Sequence, residues 1–230
     1  MRRTKHVKGN PQLRQLLVRE AARLMYEDGV SQYHDAKTLA VKRILSRGRK
    51  GSAPIRTRDL PSNGEISEEI ANLAQFHEGS SLNQQLFEMR IIALEIMSQI
   101  AVFSPRLIGS VSTGKVRQNS DIDIHVFTDS TEELFDHLSV LGWQYEHKNI
   151  TVRRGSFFVE YLHIYLEQDF PIELSVYPKQ EIKIRGRSST DGKPIIRVSS
   201  DALLKIILEE HPGAWRKHIY GDDIPPKEDK

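Results

Sequence analysis

The sequence predicts an α+β protein with a helical N-terminal region and a small mixed β-sheet that carries helices on one face. Three observations lead to this prediction. Apolar residues recur at helical spacing through the first hundred residues, and from Arg106 onward they alternate as they do in strands. The turns between the last three strand candidates are short, which indicates that these strands are antiparallel neighbours.

The N-terminal region begins with two predicted helices. The first carries an apolar stripe and ends at Gly29. Its stripe consists of Leu13, Leu16, Leu17, Ala21 and Leu24. A second helix is predicted over 35–47. Residues 47–61 are rich in Arg, Gly, Ser and Pro, which favours a linker.

Two further helical segments follow the linker. Ser62 or Asn63 is expected to cap the first of them. That segment carries Ile66, Ile70, Leu73 and Phe76. The next segment has the clearest helical period, formed by Leu82, Leu86, Met89, Ile92, Ile96, Ile100 and Phe103. Such a stripe predicts a core face.

The C-terminal half is predicted to alternate between strands and helices. Strands are expected over 106–111, 121–127, 143–153, 156–166 and 170–177. A helix over 131–141 is capped by Ser130 or Thr131, and a helix over 202–210 is capped by Asp201. The charged tail after Tyr220 is expected to be disordered.

These elements predict four regions of the chain. A basic helical region covers 1–60, and a helical segment that packs on the core covers 61–104. The sheet core covers 105–180. A C-terminal helix with a flexible tail covers 181–230.

Composition excludes several classes of site. The chain has no cysteine, which excludes disulfides, thiolate zinc sites, iron–sulfur clusters and cysteine nucleophiles. None of the nine histidines falls in a metal-ligand spacing. The basic start leads into no apolar run, and no stretch approaches the roughly 18 apolar residues of a membrane span. We therefore expect a cytoplasmic protein with no membrane partner.

Charge is distributed unevenly along the chain. Residues 1–58 hold 15 of the 33 Lys and Arg residues but only 4 of the 31 Asp and Glu residues. The first part thus carries a local charge of +11 and the remainder −9. A basic arm on an acidic body is typical of a polyanion-binding protein, although solvated helix faces would give the same composition. The candidate nucleic-acid-binding residues are Lys42, Arg43, Arg47, Arg49 and Lys50.

Two aspartates in one short strand form the most informative pattern. Asp121 and Asp123 are separated by one residue, so they share a face of the strand while the apolar residues between and after them face the core. Their side chains are rooted roughly 7 Å apart, at about 3.3 Å per residue. This spacing suits two divalent ions about 3.5–4 Å apart, and Mg²⁺ (or Mn²⁺) fits carboxylate oxygens best. His125 lies on the same face, where it either touches substrate or is hydrogen-bonded within the protein.

A third carboxylate is needed to orient and deprotonate an attacking hydroxyl. Glu173 is the preferred candidate because apolar residues flank it on the opposite face of its strand. Glu160, Glu167 and Asp169 remain alternatives at this stage.

Gly109 and Ser110 are predicted to bind phosphate groups. A glycine lets the backbone approach a phosphate closely, and a serine hydroxyl with neighbouring N–H groups can hold a triphosphate. These two residues precede the aspartate pair by about ten positions, so the sequence brings an anion-binding element and a metal-binding element into one segment.

This segment resembles the nucleotidyltransferase superfamily typified by DNA polymerase beta and kanamycin nucleotidyltransferase. The family pattern is a hydrophobic residue with Gly-Ser, about nine residues, Ser-Asp-hydrophobic-Asp-hydrophobic, and a distant hydrophobic-acidic-hydrophobic element. Here these are Ile108-Gly109-Ser110, Ser120-Asp121-Ile122-Asp123-Ile124 and Ile172-Glu173-Leu174. The resemblance covers roughly 90–180.

The resemblance implies roles for particular residues. Gly109, Ser110 and Ser120 would bind nucleotide, and Asp121, Asp123 and Glu173 would hold two metal ions and perform catalysis. Many family members have Arg before the second glycine, where this chain has Thr113. Lys115 or Arg117 would then supply that charge.

The expected reaction is transfer of a nucleoside monophosphate from an NTP such as ATP to an acceptor hydroxyl. RNA, for instance a tRNA end, is favoured as acceptor by the basic arm, while a protein or small-molecule acceptor is the alternative. A rival hypothesis is a non-catalytic module of the same fold that binds nucleic acid or a partner protein, as in a toxin–antitoxin pair. A stabilising effect of Mg²⁺ together with an NTP would distinguish the enzyme from that module.

Overall fold

A computed structural model describes residues 10–47, 55–154, 156–184, 186–188 and 190–221. The chain divides into two compact units. The first lies within Met1–Gly79 and Ser188–Lys193, and the second lies within Ser80–Arg187 and Pro194–Lys230. No helix in the described ranges is long and apolar enough to cross a membrane.

The first unit is helical, as the sequence predicts. Helix α1 spans Pro11–Tyr26, α2 spans Tyr33–Arg47, and α3 begins at Asn63. The side chain of Asn10 caps α1 by accepting hydrogen bonds from the N–H groups of Gln12 and Leu13. The three helices bury a common core of Leu17, Ala21, Ala22, Leu24, Ala36, Ala40, Ile66 and Ile70.

Helix α3 is one continuous element, Asn63–Gln99, where the sequence indicates two consecutive segments. Gly79 lies between the two apolar stripes but has no positive φ, and no proline interrupts the segment, so the helix passes through it. Phe76, assigned to the stripe of the first segment, is 84% exposed. The second stripe is largely buried in the second unit, which fits its prediction as a core face.

The second unit is built on a five-stranded mixed sheet. Its elements are β1 (Arg106–Leu107), α4 (Gly109–Thr113), β2 (Ile122–Phe127), α5 (Thr131–Val140), β3 (Glu146–Arg154), β4 (Phe157–Glu167), β5 (Pro171–Tyr177), α6 (Ser200–Glu210) and α7 (Pro212–Tyr220). The strand order is β1-β2-β5-β4-β3. Only β2 and β5 are parallel among these pairs, and the other three pairs are antiparallel. The predicted α+β class and the antiparallel order of the last three strands in sequence are thus confirmed.

The alternation of apolar and polar residues along β2 and β5 decides which face of the sheet is buried. The core face of β2 and β5 consists of Ile122, Ile124, Val126, Ile172, Leu174 and Val176. Each of these side chains is at most 5% exposed. The intervening residues point to the other face, which carries the carboxylates.

The segment after β1 departs from the prediction. A strand was expected over 106–111, but the strand ends at Leu107 and Gly109 begins helix α4. The reason is the backbone of Gly109, whose φ of +71° is incompatible with an extended strand. The hydroxyls of Ser112 and Thr113 then donate to the Gly109 carbonyl at 2.9 and 3.1 Å, and Gly114 ends the helix with φ +74°.

The C-terminal helices also differ from the prediction. Ser199, not Asp201, caps α6, because its hydroxyl accepts the N–H of Ala202. Helix α7 was not predicted. It begins at Pro212, directly after His211, the C-cap residue of α6. Most of the tail expected to be disordered, residues 222–230, lies outside the described residues.

Candidate active site

Two of the three predicted carboxylates lie side by side on neighbouring strands. Asp123 on β2 is in register with Glu173 on the parallel strand β5. Residues in register share a face of the sheet, so both side chains project from the face opposite the core. Asp121 lies just before the first residue of β2 and is exposed. The three predicted carboxylates therefore lie toward the same end of the β2–β5 pair.

Gly109 packs directly against Asp123. A Cβ atom added at Gly109 would overlap the Oδ2 oxygen of Asp123 and lie 3.2 Å from its Cγ. The backbone is also tied to the aspartate, since the N–H of Ile108 donates to the Asp123 carbonyl at 2.9 Å. Glycine is therefore required at position 109 for two reasons, its positive φ and the closeness of the carboxylate.

The carboxylates repel one another electrostatically. Burial, followed by the negative charges of Asp121 and Glu173, raises the pKa of Asp123 to about 7. Among the described residues, no hydrogen bond or ion pair neutralises the carboxylate of Asp121 or Asp123. A half-buried carboxylate with uncompensated negative neighbours is the donor set that a hard divalent cation prefers, so these residues fit Mg²⁺ or Mn²⁺.

The three carboxylates do not close into one tight cluster. Within the described ranges, no group of three or more His, Asp or Glu side chains is close enough to surround a single ion. The arrangement is open, with Asp121 and Asp123 on one side and Glu173 on the next strand.

Glu173 is held by two neighbours that sequence analysis missed. Nδ1 of His163 lies 2.5 Å from Oε1 of Glu173, and the Ser175 hydroxyl donates to the same oxygen at 3.3 Å. His163 comes from β4 and lies in register opposite Ser175. The alternation of side chains between the two faces of β4 is the one sequence signal that could have indicated His163.

Register distinguishes Glu173 from the alternative acids. Tyr165 of β4 lies opposite Glu173, so the odd-numbered residues of β4 share the face of Glu173 and Glu160 points to the other face. There Glu160 lines an open cavity with Phe135 and Leu162. Glu167 lies opposite Pro171 at the end of the strand, and Asp169 lies in the turn between β4 and β5.

The residues predicted to bind nucleotide lie around α4 and the turn that follows it. Ser110 is the second residue of α4, and its carbonyl accepts the N–H of Lys115, whose side chain is exposed. The hydroxyl of Ser120 accepts the N–H of Arg117 at 2.9 Å. Ser120 therefore shapes the turn that leads into β2. Gln85 of α3 fixes the same turn by donating to the Arg117 and Gln118 carbonyls at 3.1 and 3.2 Å.

His125 is enclosed in the protein. It is 3% exposed, and its Nδ1 accepts a hydrogen bond from Nε of Arg197 at 3.1 Å. Burial, followed by the electrostatic effect of the neighbouring Arg197 and His163, lowers the pKa of His125 to about 3. His125 is thus a neutral, hydrogen-bonded side chain, which was the second of the two interpretations of its position. Arg197, which sequence analysis did not single out, also donates to the carbonyls of Glu181, Ile182 and Ile184.

The predicted nucleic-acid-binding residues are only partly described. Lys42 is exposed on α2, whereas Arg43 forms ion pairs with Glu20 at 3.2 Å and with Asp28 at 3.0 Å. Arg47 is the last residue of α2. Arg49 and Lys50 lie outside the described residues.

Comparison with known proteins identifies the family of this site. Residues 91–210, which are 120 of the 230 residues, match the model of the nucleotidyltransferase domain. This range contains every predicted catalytic and nucleotide-binding residue. No curated protein matches the chain significantly in sequence.

Several solved structures are similar to part of the chain. A cytoplasmic RNA terminal U-transferase is 18% identical, with 50% of this chain and 34% of that one covered and a TM-score of 0.30. Cid1 in complex with the UTP analogue UMPNPP is 16% identical, with 47% and 36% covered and a TM-score of 0.29. The GLD-2/RNP-8 complex is 20% identical, with 52% and 49% covered and a TM-score of 0.29. The aligned part is about a third to a half of the length of these structures.

Proposed function

The chain belongs to the nucleotidyltransferase domain family, and from that premise we propose that it transfers a nucleoside monophosphate from an NTP to an acceptor hydroxyl. The acceptor oxygen bonds to the α-phosphorus, the bond to the bridging oxygen breaks, and pyrophosphate leaves. The observation that carries this proposal is the placement of Asp123 beside Glu173 on one sheet face, with Gly109 packed against Asp123.

Asp121, Asp123 and Glu173 are proposed to hold two divalent ions, Mg²⁺ or Mn²⁺. The support is the oxygen-only donor set and the raised pKa of Asp123, which burial causes first and the negative charges of Asp121 and Glu173 second. When bound, such ions neutralise the charge that develops on phosphate oxygens during the transfer. The carboxylates themselves orient the reacting groups on one rigid sheet face.

Glu173 is proposed to accept the proton of the acceptor hydroxyl. Its Oε1 is occupied by His163 and Ser175, so Oε2 is the oxygen that can receive the proton. Holding one oxygen fixes the direction in which the other points, which keeps the base within hydrogen-bond reach of the hydroxyl.

Gly109 and Ser110 are proposed to bind the phosphates of the NTP, with Lys115 or Arg117 supplying positive charge. The support is their position at the start of α4, on the opposite side of Asp123 from Glu173. Ser120 is proposed to act by holding the turn between α4 and β2, as its hydrogen bond to the Arg117 N–H indicates.

RNA is the proposed class of acceptor. The support is the local charge of +11 in residues 1–58, which favours a polyanionic partner. Lys42 is the member of the candidate set that lies exposed on a described helix.

The test is incubation of the protein with each α-labelled NTP, Mg²⁺ and separate pools of total RNA, protein and small molecules. We expect label in RNA with the parent protein and none with Asp123→Asn. Glu160→Gln is the matched control, because it removes a carboxylate on the opposite face of the same sheet and should keep activity. Parent-level labelling by Asp123→Asn would refute the carboxylate assignment, and absence of labelling of every pool by the parent protein would refute the proposed reaction.

A further inference from the structure

A row of side chains continues across the sheet beyond the carboxylates. Tyr165 on β4 lies opposite Glu173 on β5, which in turn lies opposite Asp123 on β2. Neighbouring strands are about 4.8 Å apart, so Tyr165 is the next side chain along this face after Glu173. Tyr165 is half-buried.

Tyr165 lies opposite Glu146 of β3 and beside two groups that suit a nucleotide, Lys148 and His163. The ammonium nitrogen of Lys148 on β3 lies 4.5 Å from the centre of the Tyr165 ring. The ring of His163 lies 6.5 Å away at an angle of 26°, and His163 is the residue that contacts Glu173. Lys148 itself is exposed. The Tyr165 ring, with an exposed cation over it, thus lies beside His163, which contacts the third carboxylate.

The order of the strands fixes the side from which the acceptor must come. The Gly109–Ser110 element follows β1, on one side of Asp123, while Glu173, Tyr165 and Lys148 follow in that order on the other side. In an in-line displacement the attacking oxygen lies opposite the leaving group. If pyrophosphate leaves from the side of Gly109, the acceptor hydroxyl approaches over Glu173 from the side of β4.

We propose that Tyr165 and Lys148 form the acceptor subsite and that they hold the terminal nucleotide of a single-stranded polynucleotide. Tyr165 stacks on the terminal base and Lys148 binds a backbone phosphate, which places the terminal hydroxyl at Glu173. This inference rests on the proposed transfer reaction and specifies its acceptor. An aromatic ring beside a cation is the pair that sequence-tolerant single-strand binding uses, because every base has a face that can stack and every nucleotide has a phosphate. A protein or small-molecule acceptor supplies no such repeating pair.

The test compares substitutions that remove each contact with substitutions that keep it. Tyr165→Leu removes the ring and Tyr165→Phe retains it. Lys148→Gln removes the charge, and Lys205→Gln removes another exposed lysine, on helix α6, as a control. Binding of a labelled single-stranded RNA and of a DNA of the same sequence is measured by fluorescence anisotropy at several salt concentrations. The KM values for NTP and for the oligonucleotide are measured in parallel.

We expect Tyr165→Leu to weaken oligonucleotide binding roughly 5- to 150-fold, as loss of one stacked base implies. Tyr165→Phe should restore most of that affinity. Lys148→Gln should flatten the dependence of log affinity on log salt by about 0.7, and Lys205→Gln should leave it unchanged. The KM for NTP should stay close to that of the parent protein in all four variants. A preference for RNA over DNA in the same assay identifies which polynucleotide the subsite receives.

If oligonucleotide affinity were unchanged in both Tyr165→Leu and Lys148→Gln, the proposed subsite would be wrong, even if the parent protein were an active transferase. Transfer to a protein or small molecule but to no oligonucleotide would overturn it as well and would leave the transfer reaction standing. Loss of oligonucleotide binding in these variants without any transfer by the parent protein would instead support the subsite and refute the reaction.

Discussion

The contact between Gly109 and Asp123 predicts a loss of activity that is separable from loss of stability. In Gly109→Ala the new methyl group would overlap Oδ2 of Asp123, so the carboxylate must rotate away from its position. The Oδ2 atom is the end of a side chain, and its displacement disturbs the site more than the fold. We expect nucleotide transfer to fall by at least about 100-fold, since small misplacements of catalytic groups cost this much.

The cost in stability comes from the backbone. An L-residue other than glycine at φ +71° costs about 1–2 kcal/mol. For a unit of roughly 150 residues this corresponds to a decrease in Tm of about 2–8 °C. Gly142 provides a matched control, because its φ is also +71° but an added Cβ meets nothing within 4 Å. Gly142→Ala should therefore show the same decrease in Tm and keep its activity.

The assay pairs thermal unfolding with transfer kinetics for the two variants and the parent protein. The difference in activity between Gly109→Ala and Gly142→Ala then measures the contact with Asp123, because the backbone strain is common to both. Parent-level activity in Gly109→Ala would show that the carboxylate does not need its present position. An equal loss of activity in both variants would show that strain alone, without the contact, accounts for the effect.

Three further predictions concern the carboxylates and the basic arm. In EDTA the stabilisation from protonated Asp123 is complete below about pH 4 and is lost as the pH rises through about 7. In urea unfolding, the free energy of unfolding of Asp123→Asn should therefore exceed that of the parent protein by at most about 4 kcal/mol at pH 8. The two values should match at pH 4. A parent protein that is as stable as the variant at pH 8 would contradict the raised pKa. His163→Ala should lower kcat with little change in the KM for NTP. His163→Asn, which keeps a donor near Glu173, should recover part of the lost kcat. Equal losses of kcat in both variants would show that His163 acts only through packing. Replacing Arg49 and Lys50 with Gln should flatten the salt dependence of RNA binding by about 1.4, and an unchanged slope would remove these residues from the interface.

The elements that sequence analysis predicted correctly depend on local signals. The alternation around Asp123 and around Glu173 follows from the two-residue period of a strand, which is visible within six or seven residues. The cap of α5 at Ser130 is equally local, since its hydroxyl accepts an N–H three residues away. These signals sufficed for the fold class and for the family pattern.

The features that were missed depend on contacts distant in sequence. His163 reaches Glu173 only because β4 and β5 pair in one particular register, and a shift of one residue would turn it to the other face. Arg197 reaches His125 across 72 positions. The first part of helix α4 was predicted as the end of a strand over 106–111, because the positive φ of Gly109 is a property of the folded backbone that the sequence does not show.

Buried Arg90 accounts for the stability of the short element that carries the Gly-Ser pair. Helix α4 has five residues, too few to be stable alone. Arg90 of α3 is 1% exposed. Its Nε donates to the Val111 carbonyl in α4 at 3.3 Å. Its Nη1 donates to the Glu210 carboxylate at 2.7 Å and to the His211 ring at 3.0 Å. A guanidinium buried in this way must be fully hydrogen-bonded, so it holds α4 against α3 and the end of α6 at the same time. The proposed phosphate side of the site therefore depends on helices outside the Gly109–Ser110 element.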